Sequence, residues 1–128
     1  MTKALLSKKI LVVEDDASML DVLSSKLSGQ GFTVMEARDG QEGLDLALGK
    51  TPDLVLLDLR LPKLSGKELL KRVRKSKQGK NLPVIILTND GSPASVKDTL
   101  HKAAPAYFIK SETSLATIVE SVRYHLAT

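Results

Sequence analysis

The stretch that decides the fold is Thr51–Pro62, TPDLVLLDLRLP. Its centre, Leu54–Leu57, is a wholly apolar run, and a single acid, Asp58, ends it. Because prolines bound the run and leave it too short for an independent helix, it is typical of a strand that a parallel sheet buries on both faces. Such a strand delivers Asp58 to the carboxyl edge of the sheet, where open α/β sheets bind their ligands. On this stretch alone, an ordinary residue that caps the following loop is an equally good interpretation of Asp58.

The same pattern of short apolar runs and amphipathic stretches repeats along the whole chain. The predicted strands are Ile10–Val13, Thr33–Ala37, Leu54–Leu57, Pro83–Leu87 and Ala106–Ile109. Helices are predicted from Ser18 to Gly29, from the capping-box motifs Asp39-Gly-Gln-Glu42 and Ser65-Gly-Lys-Glu68, from Ser92-Pro93 towards Lys102, and from Ser114 to Leu126. Strands that alternate with helices predict an α/β fold with a doubly wound, five-stranded parallel sheet of order 2-1-3-4-5, the flavodoxin-like (βα)5 arrangement.

Length and composition are those of an ordinary globular protein. The chain has 128 residues, 42% of them hydrophobic and 27% charged, so we expect one domain over residues 1–128, with a core over about 9–126 and no output domain. It has no cysteine, which excludes disulfides and thiolate chemistry. No segment has the roughly 20 apolar residues that span a bilayer, and the N-terminus lacks a signal-peptide pattern. We therefore expect a cytoplasmic protein that does not bind membranes.

The net charge of +4 is unevenly distributed. One acid, Glu68, stands among seven basic residues that we call the basic cluster: Lys67, Lys71, Arg72, Arg74, Lys75, Lys77 and Lys80. A surface for nucleic acid or an acidic partner is one interpretation. A solvated helix face is the favoured one, because no aromatic residues are interleaved to stack on bases.

Polar residues follow four of the predicted strands. In the order 2-1-3-4-5 the first and third strands are neighbours, so Glu14 and Asp15 are expected beside Asp58. Three carboxylates in one place repel unless a cation compensates, and hard oxygen ligands favour Mg²⁺. Thr88 and Lys110 end the fourth and fifth strands, and a hydroxyl and an ammonium group suit a phosphate. The pattern predicts phosphoryl transfer onto a carboxylate.

Each of these residues also has a purely structural interpretation. Glu14 or Asp16 could cap the first helix, and for Asp16 we favour that role. Thr88 could be a turn residue and Lys110 a solvated strand end. The occurrence of all of them, in order, at the ends of four strands favours a functional site.

Four motifs, ILVVEDD, DLVLLDLRLPKLSG, PVIILT and AYFIK, together resemble a response-regulator receiver domain of two-component phosphorelay signalling, similar to the chemotaxis-type stand-alone receivers. The resemblance extends from about Lys9 to Leu126. It implies that Asp58 is the phosphoacceptor and takes its phosphoryl group from a histidine kinase or a histidine phosphotransfer protein. It further implies a Mg²⁺ ion on Asp15, Asp58 and the backbone carbonyl of Arg60, with Glu14 acting through water, and phosphoryl oxygens held by Thr88 and Lys110.

The resemblance also implies a switch rather than a metabolic enzyme. Tyr107 occupies the position of the family's aromatic switch residue, although an amphipathic surface aromatic is the alternative interpretation. Phosphorylation would change the surface formed by the fourth predicted helix, the last strand and the last helix, and so regulate a protein partner that the sequence does not identify. Direct binding to nucleic acid is not expected. The only catalysis implied is the chain's own phosphoryl acceptance and dephosphorylation.

Two rival functions remain open at this stage. The first is a phosphatase or phosphotransferase that turns over through an aspartyl phosphate. Such enzymes typically carry a second Asp two residues after the nucleophile, where this chain has Arg60. The second is a receiver-like binding module that never accepts phosphate. Such a module would normally have lost Asp58 or Lys110, and this chain keeps both.

The chain departs from the receiver pattern around the last strand. The usual Lys-Pro is Lys110-Ser111 here, and Ala103-Ala104-Pro105 replaces a small Gly-Ala turn. In the family the Lys-Pro peptide at this point is usually cis, so the fold could impose cis on Lys110–Ser111 or the loop could relax to trans. Because a cis bond before a residue other than proline is costly, we expect trans. Ser111 and Thr113 are the predicted caps of the last helix. An ion pair between Arg60 and Asp90 is expected across the mouth of the site, where it would shield the phosphorylated residue from water.

Overall fold

Five parallel strands form the centre of the protein. The computed structural model describes residues 8–89 and 103–127. Its strands are β1 (Lys9–Val13), β2 (Thr33–Ala37), β3 (Leu54–Leu57), β4 (Val84–Thr88) and β5 (Ala106–Ile109). They lie in the order β2-β1-β3-β4-β5, and every pairing is parallel. The fold class and the strand order expected from the sequence are therefore confirmed.

Helices cover the two faces of this sheet. They are α1 (Ala17–Gly29), α2 (Gly40–Gly49), α3 (Gly66–Lys75) and α4 (Leu115–Ala127), and a 3-10 turn at Lys110–Glu112 leads from β5 towards α4. The helix predicted from Ser92 towards Lys102 lies outside the described residues, as does Asp90. Among the helices that the structure does describe, none is long and apolar enough to cross a membrane.

The capping residues at the helix starts follow the sequence signals, with one exception. Asp16, Asp39 and Ser65 each accept a hydrogen bond from the backbone N–H three residues later, at 3.1, 2.8 and 3.1 Å. The exception is α4, where the prediction that Ser111 and Thr113 act as caps is wrong. Oγ of Ser114 accepts the amide of Thr117 instead, because the 3-10 turn delays the start of the helix and leaves Ser114 in the capping position.

The alternation of side chains along the strands divides the core into two layers. Odd-numbered residues of β1 and β3, among them Val13 and Leu57, pack under α2 and α3 together with even-numbered residues of β4 such as Ile86. Even-numbered residues of β1 and β3, among them Val12 and Leu56, pack under α1 and α4 together with odd-numbered residues of β4. Because period-two alternation sends neighbouring residues to opposite faces, each apolar run supplies both layers at once. This explains the apolar runs of the inner strands, of which the middle strand β3 is buried at every position.

Candidate functional site

Strand pairing carries two acids to the same edge of the sheet. The backbone N–H of Asp58 donates to the carbonyl of Val13 at 3.0 Å, and that of Glu14 donates to the carbonyl of Ala37 at 2.9 Å. The parallel ladder therefore continues one residue past β1 and β3 and holds the backbone of both acids. Both residues are almost fully buried, with 2% of Glu14 and 6% of Asp58 exposed. Two buried carboxylates at one sheet edge need a compensating cation.

Lys110 supplies positive charge to both acids. Its Nζ lies 3.0 Å from Oδ2 of Asp58 and also forms an ion pair with Oε1 of Glu14. Only 13% of the lysine side chain is exposed. Because Lys110 directly follows β5, this one side chain reaches over the ends of β4 and β3 and connects the last strand to the centre of the sheet.

The ionisation of these groups follows from their burial and their mutual contacts. Burial raises the pKa of Glu14 above its ordinary value, and the hydrogen bonds from Lys110 and from the amide of Asp16 offset this only in part. Burial alone would lower the pKa of Lys110. The hydrogen bonds to Glu14 and Asp58 and the negative charges of these two acids outweigh burial, so the pKa of Lys110 is raised above its ordinary value. Lys110 is therefore held as a cation at neutral pH.

A third acid completes a group that could hold a metal ion. Oxygen atoms of Glu14, Asp15 and Asp58 all lie within 4.8 Å of one another, and Asp15 is exposed to solvent while the other two are buried. Carboxylate oxygens at one open edge, beside a water-accessible side, fit the preference of Mg²⁺ for a few protein oxygens and several waters. The backbone N–H of Arg60 donates to Oδ1 of Asp58 at 3.3 Å. The role of the Arg60 carbonyl as a metal ligand stays a prediction.

The other two predicted site residues lie on the neighbouring strands β4 and β5. Thr88 is the last residue of β4 and is fully buried. Tyr107 in β5 pairs with Ile86, two residues before Thr88, and its half-buried ring packs against the core layer under α2 and α3. Thr88 and Tyr107 therefore share one sheet face, the arrangement that a hydroxyl-and-aromatic switch requires. Their functional roles stay predictions.

Gly66, which sequence reasoning missed, allows α3 to begin against the backbone of the candidate phosphoacceptor. A Cβ atom on this glycine would lie 2.1 Å from the carbonyl oxygen of Asp58 and 2.8 Å from Cα of Leu59. The amide of Gly66 donates to the carbonyl of Leu59 at 2.9 Å. The Ser65-Gly-Lys-Glu68 motif indicated a helix start, but a glycine in a capping box carries no signal for the strand that it faces.

Ser111, which stands where the family usually has proline, contacts the side chain of Asn89, a residue that the sequence pattern did not indicate. The described residues contain no cis peptide bond, so the prediction of a trans Lys110–Ser111 peptide is confirmed. Ser111 keeps a backbone N–H that proline would lack, and this N–H donates to Oδ1 of Asn89 at 3.0 Å. Asn89 directly follows Thr88, so the loops after β4 and β5 are joined beside the site.

The basic cluster is mostly a solvated surface, as the sequence favours. Six of its members are exposed: Lys67, Lys71, Arg72, Lys75, Lys77 and Lys80. Arg74 differs, because its guanidinium lies between α3 and the segments that precede β4 and β5. It donates to the carbonyl oxygens of Gly79, Leu82 and Ala103 at distances from 2.6 to 2.9 Å.

Comparison with known proteins agrees with this fold and this site. The family described as response regulator receiver domain matches residues 10–123, and the chain belongs to it. The chain is 37% identical over 103 residues to a probable transcriptional regulator, ycf27, of Guillardia theta, and 32% identical over 122 residues to the regulator of RpoS of Escherichia coli K12. These matches cover 80% and 95% of the chain, respectively.

A solved structure with the same architecture is the chemotaxis response regulator CheY4 of Vibrio cholerae. It is 28% identical with a TM-score of 0.83, and the match covers 93% of this chain and 98% of that one. The two curated relatives are longer, since the chain spans only 39% and 36% of their lengths. What these comparisons establish is a receiver domain of two-component signalling, whose relatives are regulators rather than classical enzymes.

Proposed function

We propose that this receiver domain is a phosphorylation-switched signalling module that accepts a phosphoryl group on Asp58. The observation that carries the proposal is the contact of Lys110 with both Asp58 and Glu14 at the carboxyl edge of the sheet. A buried carboxylate with a cation beside it, at the open edge of a receiver fold, is placed to attack phosphorus while the cation meets the incoming negative oxygens.

The transfer is a displacement at phosphorus. A carboxylate oxygen of Asp58 forms the new P–O bond as the bond from phosphorus to the donor breaks, and the bonding electron pair leaves with the donor. From a phosphohistidine of a kinase or a phosphotransfer protein, the leaving group is the imidazole nitrogen. The product is an acyl phosphate on Asp58.

Several groups of the chain would together compensate the negative charge of the phosphoryl group. Lys110 would move from the Asp58 carboxylate to an oxygen of the phosphoryl group, and Thr88 would donate a hydrogen bond to another. Asp15, Asp58 and the Arg60 carbonyl would hold Mg²⁺, with Glu14 acting through water, and the ion would supply the remaining positive charge. Glu14 would keep Lys110 within reach throughout, because the two are in contact before any phosphate arrives.

Phosphorylation would then act on the surface around β5. It adds roughly two negative charges beside Thr88. A hydroxyl drawn towards the phosphoryl group vacates space that Tyr107 can fill, since both residues lie on the same sheet face. That movement would shift an existing equilibrium of the β5 surface and change the affinity for a downstream protein partner.

The test is labelling with a small phosphodonor. Incubation with acetyl phosphate and Mg²⁺ should add one phosphoryl group, detected by intact mass, and EDTA should abolish the addition. Asp58→Asn should remain unmodified, and Asp53→Asn is the matched control because Asp53 lies before β3, at the opposite end of the same strand. Equal labelling of Asp58→Asn and the parent chain would refute the proposal.

A further inference from the structure

The loops that follow β4 and β5 are joined by a hydrogen bond from backbone to side chain. Oδ1 of Asn89 accepts the backbone N–H of Ser111 at 3.0 Å. Asn89 is the first residue after β4, and Ser111 lies within the 3-10 turn that follows β5. The bond exists because position 111 is not proline, which has no N–H to donate.

This hydrogen bond adjoins the two residues that face the phosphoryl group in the proposed function. Ser111 directly follows Lys110, and Asn89 directly follows Thr88. On the other side of Lys110, Oγ1 of Thr113 donates to the carbonyl of Ile109 at 2.7 Å. The peptide groups before and after Lys110 are therefore each held by a polar side chain.

We propose that Asn89 is a positioning residue, which fixes the backbone at Lys110 so that the ammonium group meets Asp58 and Glu14. A long lysine side chain has many rotamers, and ordering it costs conformational entropy that a fixed backbone helps to limit. The same bond couples the end of β4 to the end of β5. The proposal rests on the proposed function for its catalytic consequence, but the hydrogen bond is measurable without any phosphorylation.

The first measurement concerns the bond itself. In the parent chain, hydrogen exchange of the Ser111 amide, followed by NMR, should be slower than in Asn89→Ala by about 2–10-fold, the range that one neutral hydrogen bond supplies. Asn81→Ala is the matched control, because it removes the same atoms from an exposed asparagine in the loop before β4. Unchanged exchange at Ser111 in Asn89→Ala would refute the bond, whether or not Asp58 accepts phosphate.

The second measurement concerns positioning. The rate of Asp58 phosphorylation by acetyl phosphate should fall about 2–10-fold in Asn89→Ala and stay unchanged in Asn81→Ala. In a Ser111→Pro background, which lacks the donor, Asn89→Ala should have no further effect, and likewise in a Lys110→Met background. An equal effect of Asn89→Ala in all three backgrounds would show that Asn89 does not act through Ser111 and Lys110.

These outcomes separate the two proposals. If the parent chain takes no phosphate on Asp58, the proposed function fails and the exchange experiment still decides the bond. If the parent chain is labelled and Asn89→Ala is labelled at the same rate, the proposed function stands and the positioning role fails. Urea unfolding of each variant shows whether a rate change reflects a loss of fold, since positioning predicts a change in rate with nearly unchanged stability.

Discussion

At the scale of single residues, Arg74 has a role that its sequence position conceals. It stands among exposed lysines on a basic helix, yet its guanidinium donates to carbonyls of Gly79, Leu82 and Ala103. Burial lowers the pKa of Arg74 below its ordinary value, although the group stays a cation at neutral pH. The Arg74 side chain thus supplies hydrogen-bond donors to three backbone carbonyls. These carbonyls lie in the two irregular segments that precede β4 and β5.

Replacing Arg74 should therefore destabilise the fold. We expect Arg74→Met to lower the free energy of unfolding by about 2–3 kcal/mol, because it leaves part-buried carbonyls without their donor. Arg74→Lys should recover little, since one ammonium group does not reproduce the planar fork. Urea unfolding at neutral pH measures both.

Arg72→Met is the matched control for Arg74, two residues away on the same helix. Within residues 8–89 and 103–127, Arg72 forms an exposed ion pair with Glu68 at 3.2 Å and no other side-chain contact of this kind. Its loss should change the free energy of unfolding by at most about 0.5 kcal/mol. Equal destabilisation by the two substitutions would contradict the anchoring role of Arg74.

At the scale of elements, the sequence predicts what is encoded locally and misses what depends on contact between elements. The start of α2 was predictable because its capping contacts are local: Asp39 accepts the amide of Glu42, and Glu42 accepts the amide of Arg38. The strands were predictable from their apolar runs. The approach of Gly66 to Asp58 and the bond of Asn89 to Ser111 each join residues from different elements or loops. No local pattern marks them, so they appear only once the sheet is assembled.

The contact at Gly66 gives a prediction for α3. Gly66→Ala should destabilise the protein by about 1–3 kcal/mol or more, because its Cβ would overlap the Asp58 carbonyl and must push the helix away. The same shift should slow phosphorylation of Asp58. Chemical denaturation and acetyl phosphate labelling measure the two effects.

Gly49→Ala provides the contrast for Gly66. Gly49 is also a helical glycine, at the end of α2, and a Cβ there meets nothing within 4 Å. Alanine at this position should stabilise the protein by about 0.4–1 kcal/mol by restricting the unfolded chain. If Gly66→Ala and Gly49→Ala lose a comparable amount of stability, the overlap with the Asp58 carbonyl does not cause the loss in Gly66→Ala.

The cap of α2 gives a prediction about pH. The hydrogen bond from the amide of Glu42 is the main cause that lowers the pKa of Asp39 below its ordinary value of 3.8. The positive charge of Lys63, 3.5 Å away, lowers this pKa further. A lowered folded-state pKa means that the ionised cap contributes stability above about pH 3.8, and that this contribution is lost as the pH falls through the folded-state pKa. The stability advantage of the parent chain over Asp39→Asn should therefore be constant near neutral pH and shrink in acid.

Urea unfolding of the two proteins from pH 7 down to pH 3 measures this difference. Asparagine keeps a capping oxygen but does not titrate, so the comparison isolates the charge of Asp39. Lys63→Met should reduce the acid dependence, because it removes one of the causes of the shift. If the stability advantage of the parent chain over Asp39→Asn grows as the pH falls, this explanation is wrong.

At the scale of the whole molecule, the site exists only because the strand order interleaves distant parts of the chain. The pattern of acids at strand ends predicted which side chains meet, and the structure brings Glu14, Asp15, Asp58 and Lys110 together. What the pattern did not predict is that Lys110 contacts both buried acids at once. That depends on the path of its side chain across the sheet edge, which no strand register specifies.

If the three acids hold Mg²⁺, the ion should stabilise the whole fold. At a Mg²⁺ concentration ten times its dissociation constant, the gain is about 1.4 kcal/mol, seen as a rise in Tm. Asp15→Asn should remove most of this gain. Asp21→Asn, an exposed acid on α1, should retain it. A rise in Tm that is equal in all three proteins would indicate a general salt effect.

The contact between Lys110 and Asp58 joins positions 52 residues apart, and Glu14 lies earlier still. Ribosomes release the chain from its N-terminus, so β1 and β3 emerge with their acids well before the lysine does. A nascent chain that pairs these strands early buries two carboxylates without their cation, at a cost that β5 removes when it docks. If Asp58 accepts phosphate as proposed, the chain would become competent to do so only once β5 brings Lys110 to the site, and an incompletely synthesised receiver would not intercept phosphate meant for finished ones.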